Sequence, residues 1–159
     1  MAVGPGGGAI WIASTFGLKT LKVDPETGET LASFEPPGIG VVRKGKRRSG
    51  AHGLEWVDGK YWMAVPPAEK IYRIEPESGK VLHAIPAPGR RPHGIAWHEG
   101  HLWCVESNHR AIYKMDFKDG RLLAKIQLTK DDPEPHGMSM REGVFWYCDA
   151  VSGWVCRLV

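Results

Sequence analysis

Three histidines occupy matched places in the sequence. His52, His93 and His136 recur 41 and 43 positions apart, each followed by glycine. From His52 the chain reads H-G-L-E-W-V-D-G-K-Y-W, from His93 H-G-I-A-W-H-E-G-H-L-W, and from His136 H-G-M-S-M-R-E-G-V-F-W. Each stretch runs from His-Gly through an apolar residue and a Gly-ended turn to a tryptophan. Imidazole titrates near neutral pH and, when neutral, ligates divalent metals, so these rings are candidates for a metal site or for general-base chemistry. A second position follows the same repeat. Three residues beyond each repeat tryptophan stand Ser14, Val65, Glu106 and Asp149, two of them acidic, and His109 lies in the loop after Glu106. The candidate metal ligands are therefore His52, His93 and His136, for Zn, Mn, Ni, Fe or Mg. The candidate catalytic groups are His93, His136, Glu106 and Asp149. A bound ion would polarise a small ester, lactone or related molecule for a lyase or hydrolase reaction. Two further readings stand beside this one: a histidine acting as base without metal, and a His-Gly pair that merely bonds the backbone of the next repeat.

Residues 40 positions apart meet only if the elements carrying them are arranged around a centre. A period of this length is that of a propeller blade. Met1 to Trp11 forms a degenerate first copy with Met1 where histidine stands elsewhere. After each tryptophan comes a short apolar run, a polar loop, and an alternating strand such as Lys70 to Ile74. Tight turns follow at Asp24–Gly28, Glu75–Gly79 and Asp116–Gly120, the first two with proline second and all closing on glycine. Fourth strands are expected over Thr30–Phe34, Val81–Ile85 and Leu122–Leu128. Dense turn signals and period-two alternation favour strands over a helical repeat.

The expected fold is thus all-β: a single β-propeller domain over residues 1–159, with about four four-stranded blades near 1–37, 52–88, 93–130 and 136–159. The interval from Trp11 to Trp62 is 51 residues, and the extra length falls in an inserted loop at 38–51 carrying Arg43, Lys44, Lys46, Arg47 and Arg48. The last copy stops within its third strand, which leaves an edge to be covered. A homodimer closing as an eight-bladed ring is expected, with a four-bladed monomer and a fragment or other assembly as the alternatives. The strand opening each blade should line the channel, so the histidines should gather at one mouth. Trp11, Trp62, Trp103 and Trp146 are read as packing between blades.

Pro92-His93-Gly94-Ile95-Ala96 with Leu102-Trp103, and Pro135-His136-Gly137-Met138 with Phe145-Trp146, resemble blades of the virginiamycin B lyase (streptogramin lyase) type of propeller. They resemble the gluconolactonase and NHL-repeat groups more loosely. The resemblance implies a divalent ion and a histidine base at the channel mouth. That family carries seven blades in one chain, about twice this length, so the location of a site transfers but the substrate does not. These groups include lyases, lactonases and binding proteins, and a binding or self-assembling propeller is the alternative function.

Composition bounds the remaining possibilities. Hydrophobic residues make up 42% and charged residues 25% of 159, as in ordinary globular domains. Seven tryptophans and 20 glycines suit a turn-rich β fold. The net charge of +3 sits largely in the basic run, which lacks interleaved aromatics, so a small molecule and not nucleic acid is the expected partner. Cys104, Cys148 and Cys156 are an odd count without disulfide spacing and are expected to be buried thiols. No apolar stretch is long enough to span a membrane, and the N-terminus lacks the regions of a signal peptide, so a cytoplasmic location is expected.

Overall fold

A computed structural model of the chain describes residues 2–39 and 48–158. These residues form four antiparallel sheets, each a simple meander. The first holds β1 (Ala2–Gly6), β2 (Ala9–Ser14), β3 (Lys19–Val23) and β4 (Thr30–Phe34). The second holds β5 (Leu54–Val57), β6 (Lys60–Val65), β7 (Lys70–Ile74) and β8 (Val81–Pro86). The third holds β9 (Pro92–His98), β10 (His101–Glu106), β11 (Ala111–Met115) and β12 (Leu122–Gln127). The fourth has three strands, β13 (Pro135–Arg141), β14 (Val144–Asp149) and β15 (Val155–Arg157). The first strands of successive sheets pack against one another, β1 on β5, β5 on β9 and β9 on β13. This is a propeller arrangement of four blades.

Turn chemistry sets the blades. Between first and second strands, Asp58-Gly59, Glu99-Gly100 and Glu142-Gly143 place two successive residues at positive φ (49° and 72°, 47° and 73°, 52° and 76°). That is the hairpin turn whose twist matches its strands. Between third and fourth strands, the amides of Gly28, Gly79 and Gly120 donate to the carbonyls of Asp24, Glu75 and Asp116 at 2.9–3.0 Å.

The core lies between blades, because alternate residues of each strand face opposite neighbours. Trp11 and Ala13 of blade 1 pack on Leu54, Tyr61, Met63, Val65 and Ile74 of blade 2. Trp62 and Ala64 of blade 2 join Ile95, Leu102, Cys104 and Met115 of blade 3. Trp103 meets Phe145 of blade 4 edge-on, with ring centroids 4.6 Å apart. One repeat tryptophan thus fills each junction, as the sequence pattern implied.

The glycines after His52 and His93 have a packing reason. A Cβ on Gly53 would lie 2.1 Å from the His93 carbonyl oxygen, and one on Gly94 would lie 2.2 Å from the Met138 amide nitrogen. Only glycine lets successive inner strands approach this closely. Four of the five basic residues expected in the inserted loop, Arg43, Lys44, Lys46 and Arg47, lie outside the described residues; Arg48 is exposed. Of the cysteines, Cys104 is buried, whereas Cys148 and Cys156 are only half-buried, and all three are free thiols. Among the described residues no helix is long and apolar enough to cross a membrane.

Candidate metal and catalytic site

The close approach of inner strands carries the three histidines together. His93 and His136 are the second residues of β9 and β13. His52 lies two residues ahead of β5, where its amide still donates to the Ala64 carbonyl at 2.8 Å. Ring centroids are 4.5 Å apart for His52 and His93, 3.9 Å for His93 and His136, and 6.0 Å for His52 and His136. One ring nitrogen from each lies within 4.8 Å of the others. A cleft of about 320 Å³ borders all three rings and is walled by Leu54, Ile95, Met138, Trp146, Tyr147 and Val155, among others.

The hydrogen bonds assign one ring's tautomer. Ser107 Oγ donates to the Pro135 carbonyl at 2.7 Å, which uses its only proton. It must therefore accept from His93 Nδ1 at 2.6 Å. His93 carries its proton on Nδ1, and Nε2 keeps a free lone pair. A hydrogen bond on the far ring nitrogen orients metal-binding histidines in this way. Ser107 has counterparts one residue past the repeat Ser/Val/Glu/Asp position: Thr15, Pro66 and Ala150. Thr15 Oγ1 donates to the Ala51 carbonyl at 2.8 Å, as Ser107 does to Pro135. Pro66 offers no hydroxyl, and His52 Nδ1 is buried without a hydrogen-bond partner. Sequence reasoning missed Ser107. The signal was its place in the repeat, directly after Glu106.

Burial pushes the His93 imidazole down to about 2 and His52 to about 4, with repulsion from His136 and Arg91 acting in the same sense. His136 is lowered by the same causes, burial first and then Arg91. All three rings are neutral at pH 7, the state in which imidazole binds metal. Among the described residues this is the one group of three or more His, Cys, Asp or Glu side chains close enough to share an ion. Nitrogens held 2.0–2.1 Å from a tetrahedral ion stand roughly 3.3 Å apart. Small inward ring movements would bring the three to that spacing. With no carboxylate in the group, the donors suit Zn, Ni or Fe better than Mg or Mn, which prefer oxygen.

Glu106 and Asp149 are placed differently from the histidines. Glu106 is fully buried; its Oε1 accepts from the Arg91 amide at 2.6 Å and its Oε2 from the His109 amide at 2.7 Å. Asp149 Oδ1 accepts from the Glu134 amide at 2.9 Å, and Oδ2 from the Ser152 amide at 2.5 Å. Hydrogen bonds from Ser152, Val151 and Glu134 hold its carboxyl below the usual carboxylate range. Each carboxylate ties the link entering an inner strand, two residues before His93 or His136, to the loop leaving the second strand. They secure the segments that carry the histidines, and they do not join the cluster. His109 Nδ1 bonds the Tyr113 hydroxyl at 3.1 Å and also stands outside it.

No protein-family model and no curated protein matches the chain by sequence. Its fold has solved relatives. The glutaminyl cyclase of Myxococcus xanthus superposes with a TM-score of 0.75 at 10% identity, over 98% of this chain and 70% of that one. A catalytically inactive histidine-to-alanine variant of virginiamycin B lyase from Staphylococcus aureus, solved with quinupristin, gives 0.67 at 17% identity, over 99% of this chain and 54% of that one. The selenomethionine form of the same lyase gives 0.67 at 20% identity, over 99% and 51%. The chain has a virginiamycin lyase-like β-propeller fold and spans little more than half the length of those lyases.

Proposed function

We propose that this chain is a metal-assisted lyase or hydrolase that binds one divalent ion on His52, His93 and His136 and acts on a small ester, lactone or related molecule in the adjoining cleft. The observation that carries this reading is the cluster itself: three neutral imidazoles with one nitrogen of each within 4.8 Å of the others, beside a cleft of about 320 Å³. The orphaned Nδ1 of His52 and the Ser107-braced ring of His93 supply lone pairs that a cation would satisfy. The relatives support it in part, since a histidine-to-alanine change accompanies inactivity in virginiamycin B lyase.

When bound, such an ion supplies a Lewis acid for a carbonyl oxygen. The chain's own residues do the rest. Leu54, Ile95, Met138 and Trp146 provide apolar walls for the non-reacting part of the substrate. Ser107 fixes the His93 ring, and Glu106 and Asp149 act as positioning residues for the strands below. Metal-free catalysis by His93 is the weaker alternative, because a group whose conjugate acid ionises near 2 is a poor proton acceptor at pH 7.

The test is elemental analysis of protein prepared without chelator, together with a His93→Ala variant and a panel of esters and lactones. About one zinc, nickel or iron per chain is expected, lost together with turnover in the variant. Metal-free protein whose turnover survives His93→Ala would overturn the reading.

A further inference from the structure

The turn between the first two strands of blade 3 reads His98-Glu99-Gly100-His101. Glu99 and Gly100 stand at φ of 47° and 73°, in the tight turn that pins strand register. His98 and His101 are therefore direct partners across β9 and β10 and share one face of the sheet. The Cβ atoms of such partners lie about 4.5–5.5 Å apart, a span that two imidazoles close when both ligate one ion. The turn itself does not call for histidine. The same places hold Gly6 and Ala9 in blade 1, Val57 and Lys60 in blade 2, and Arg141 and Val144 in blade 4. An acid at the Glu99 place is ordinary turn chemistry, since Asp58 and Glu142 occupy it elsewhere. The facing imidazoles belong to blade 3 alone.

Hydrogen bonding leaves this pair with lone pairs to offer. The Glu99 carbonyl can only accept, so His101 Nδ1 carries the proton in their 2.7 Å bond, and the neutral ring keeps its lone pair on Nε2. His98 Nε2 stands 3.7 Å from Glu99 Oε1, so a carboxylate lies beside it. Both rings are half-buried at the surface and Glu99 is exposed, so side-chain rotation is enough to turn the two Nε2 atoms toward one ion. The pair is remote from the central cluster. His93 is the second residue of β9 and His98 the last, about 17 Å along the strand.

We propose that His98 and His101 form a second metal site, at the far end of β9 from the cluster. It takes Cu(II), Ni(II) or Zn(II) on the two imidazoles, with water in the remaining positions and the Glu99 carboxylate as neighbouring negative charge. Imidazole favours these ions over Mg and Ca, and Cu(II) should bind most tightly of the three. Two ligands at the surface hold an ion less firmly than three in the interior, so this ion exchanges readily with solvent. The proposal does not depend on the catalytic reading of His52, His93 and His136.

Calorimetric titration of metal-free protein with Ni(II) tests it. The variant His93→Ala, which removes a ligand of the central cluster, should still bind about one Ni(II) per chain. Adding His98→Ala or His101→Ala should weaken that binding at least tenfold, and adding Glu99→Gln should weaken it several-fold. With the central cluster intact, the double variant His98→Ala/His101→Ala should bind one ion fewer than the wild type. Its circular dichroism should be unchanged, because both side chains lie at the surface. A double variant that matches the wild type in Ni(II) stoichiometry would overturn the proposal. So would Ni(II) binding by His93→Ala that outlasts both hairpin substitutions, or its complete absence in that variant. An ion lost through His93→Ala in the double variant reports on the central cluster alone, so the two readings fail separately.

Discussion

At the residue scale, chemistry follows from which polar atoms have partners. His93 is braced by Ser107 and His52 is not, because the repeat has proline at position 66. Ser107→Ala would strand the Pro135 carbonyl and His93 Nδ1 together. We expect a loss of about 1–3 kcal/mol in stability, read by denaturant melts. Metal affinity should fall 10–100-fold in a competition titration. Acidity acts through the same groups. His52 and His93 ionise lower in the fold than in the unfolded chain, so below about pH 6.5 the unfolded state takes up protons first and stability falls with pH. Glu55 works in the opposite sense, since burial raises its carboxyl to about 7. Its cost grows as pH rises from 4.5 to 7 and then levels off. Glu55→Gln should therefore stabilise the protein by roughly 2–3 kcal/mol at pH 8 and by almost nothing at pH 4, in thermal melts at the two values.

At the scale of elements, the inner strands are held by contact too close for a side chain. Gly94→Ala would place a Cβ against backbone on β13, which cannot give way as a side-chain tip can. A destabilisation of at least about 2 kcal/mol is expected. Gly137→Ala is the control, since its Cβ meets only the Cys148 sulfur, at 2.8 Å, and it should be milder. Equal losses in chemical denaturation would contradict this account of the His-Gly pair. The glycine was legible in the sequence as a repeated residue, but its reason was not. Nor was the role of Glu106 and Asp149. Their spacing marked them as repeat acids near the histidines, and spacing cannot tell a carboxylate facing a cleft from one engaged by two backbone amides.

At the scale of the molecule, the four blades form a series whose internal junctions repeat. The order of the strands, their turns and the tryptophan at each junction were all readable from one chain. Each depends on local rules: alternation of period two, turn residues that accept positive φ, and a repeat of blade length. The three histidines were visible in the same way, as one position in three copies. What the sequence by itself determined, then, is the blade and the residues it repeats. Only the tertiary structure decided that one nitrogen of each ring lies within 4.8 Å of the others, that the rings are neutral through burial, and that the two acids stand apart from them. The physical reason is that these properties depend on distance and desolvation between residues some forty positions apart. The rotation from one blade to the next sets them, and no single repeat encodes that rotation.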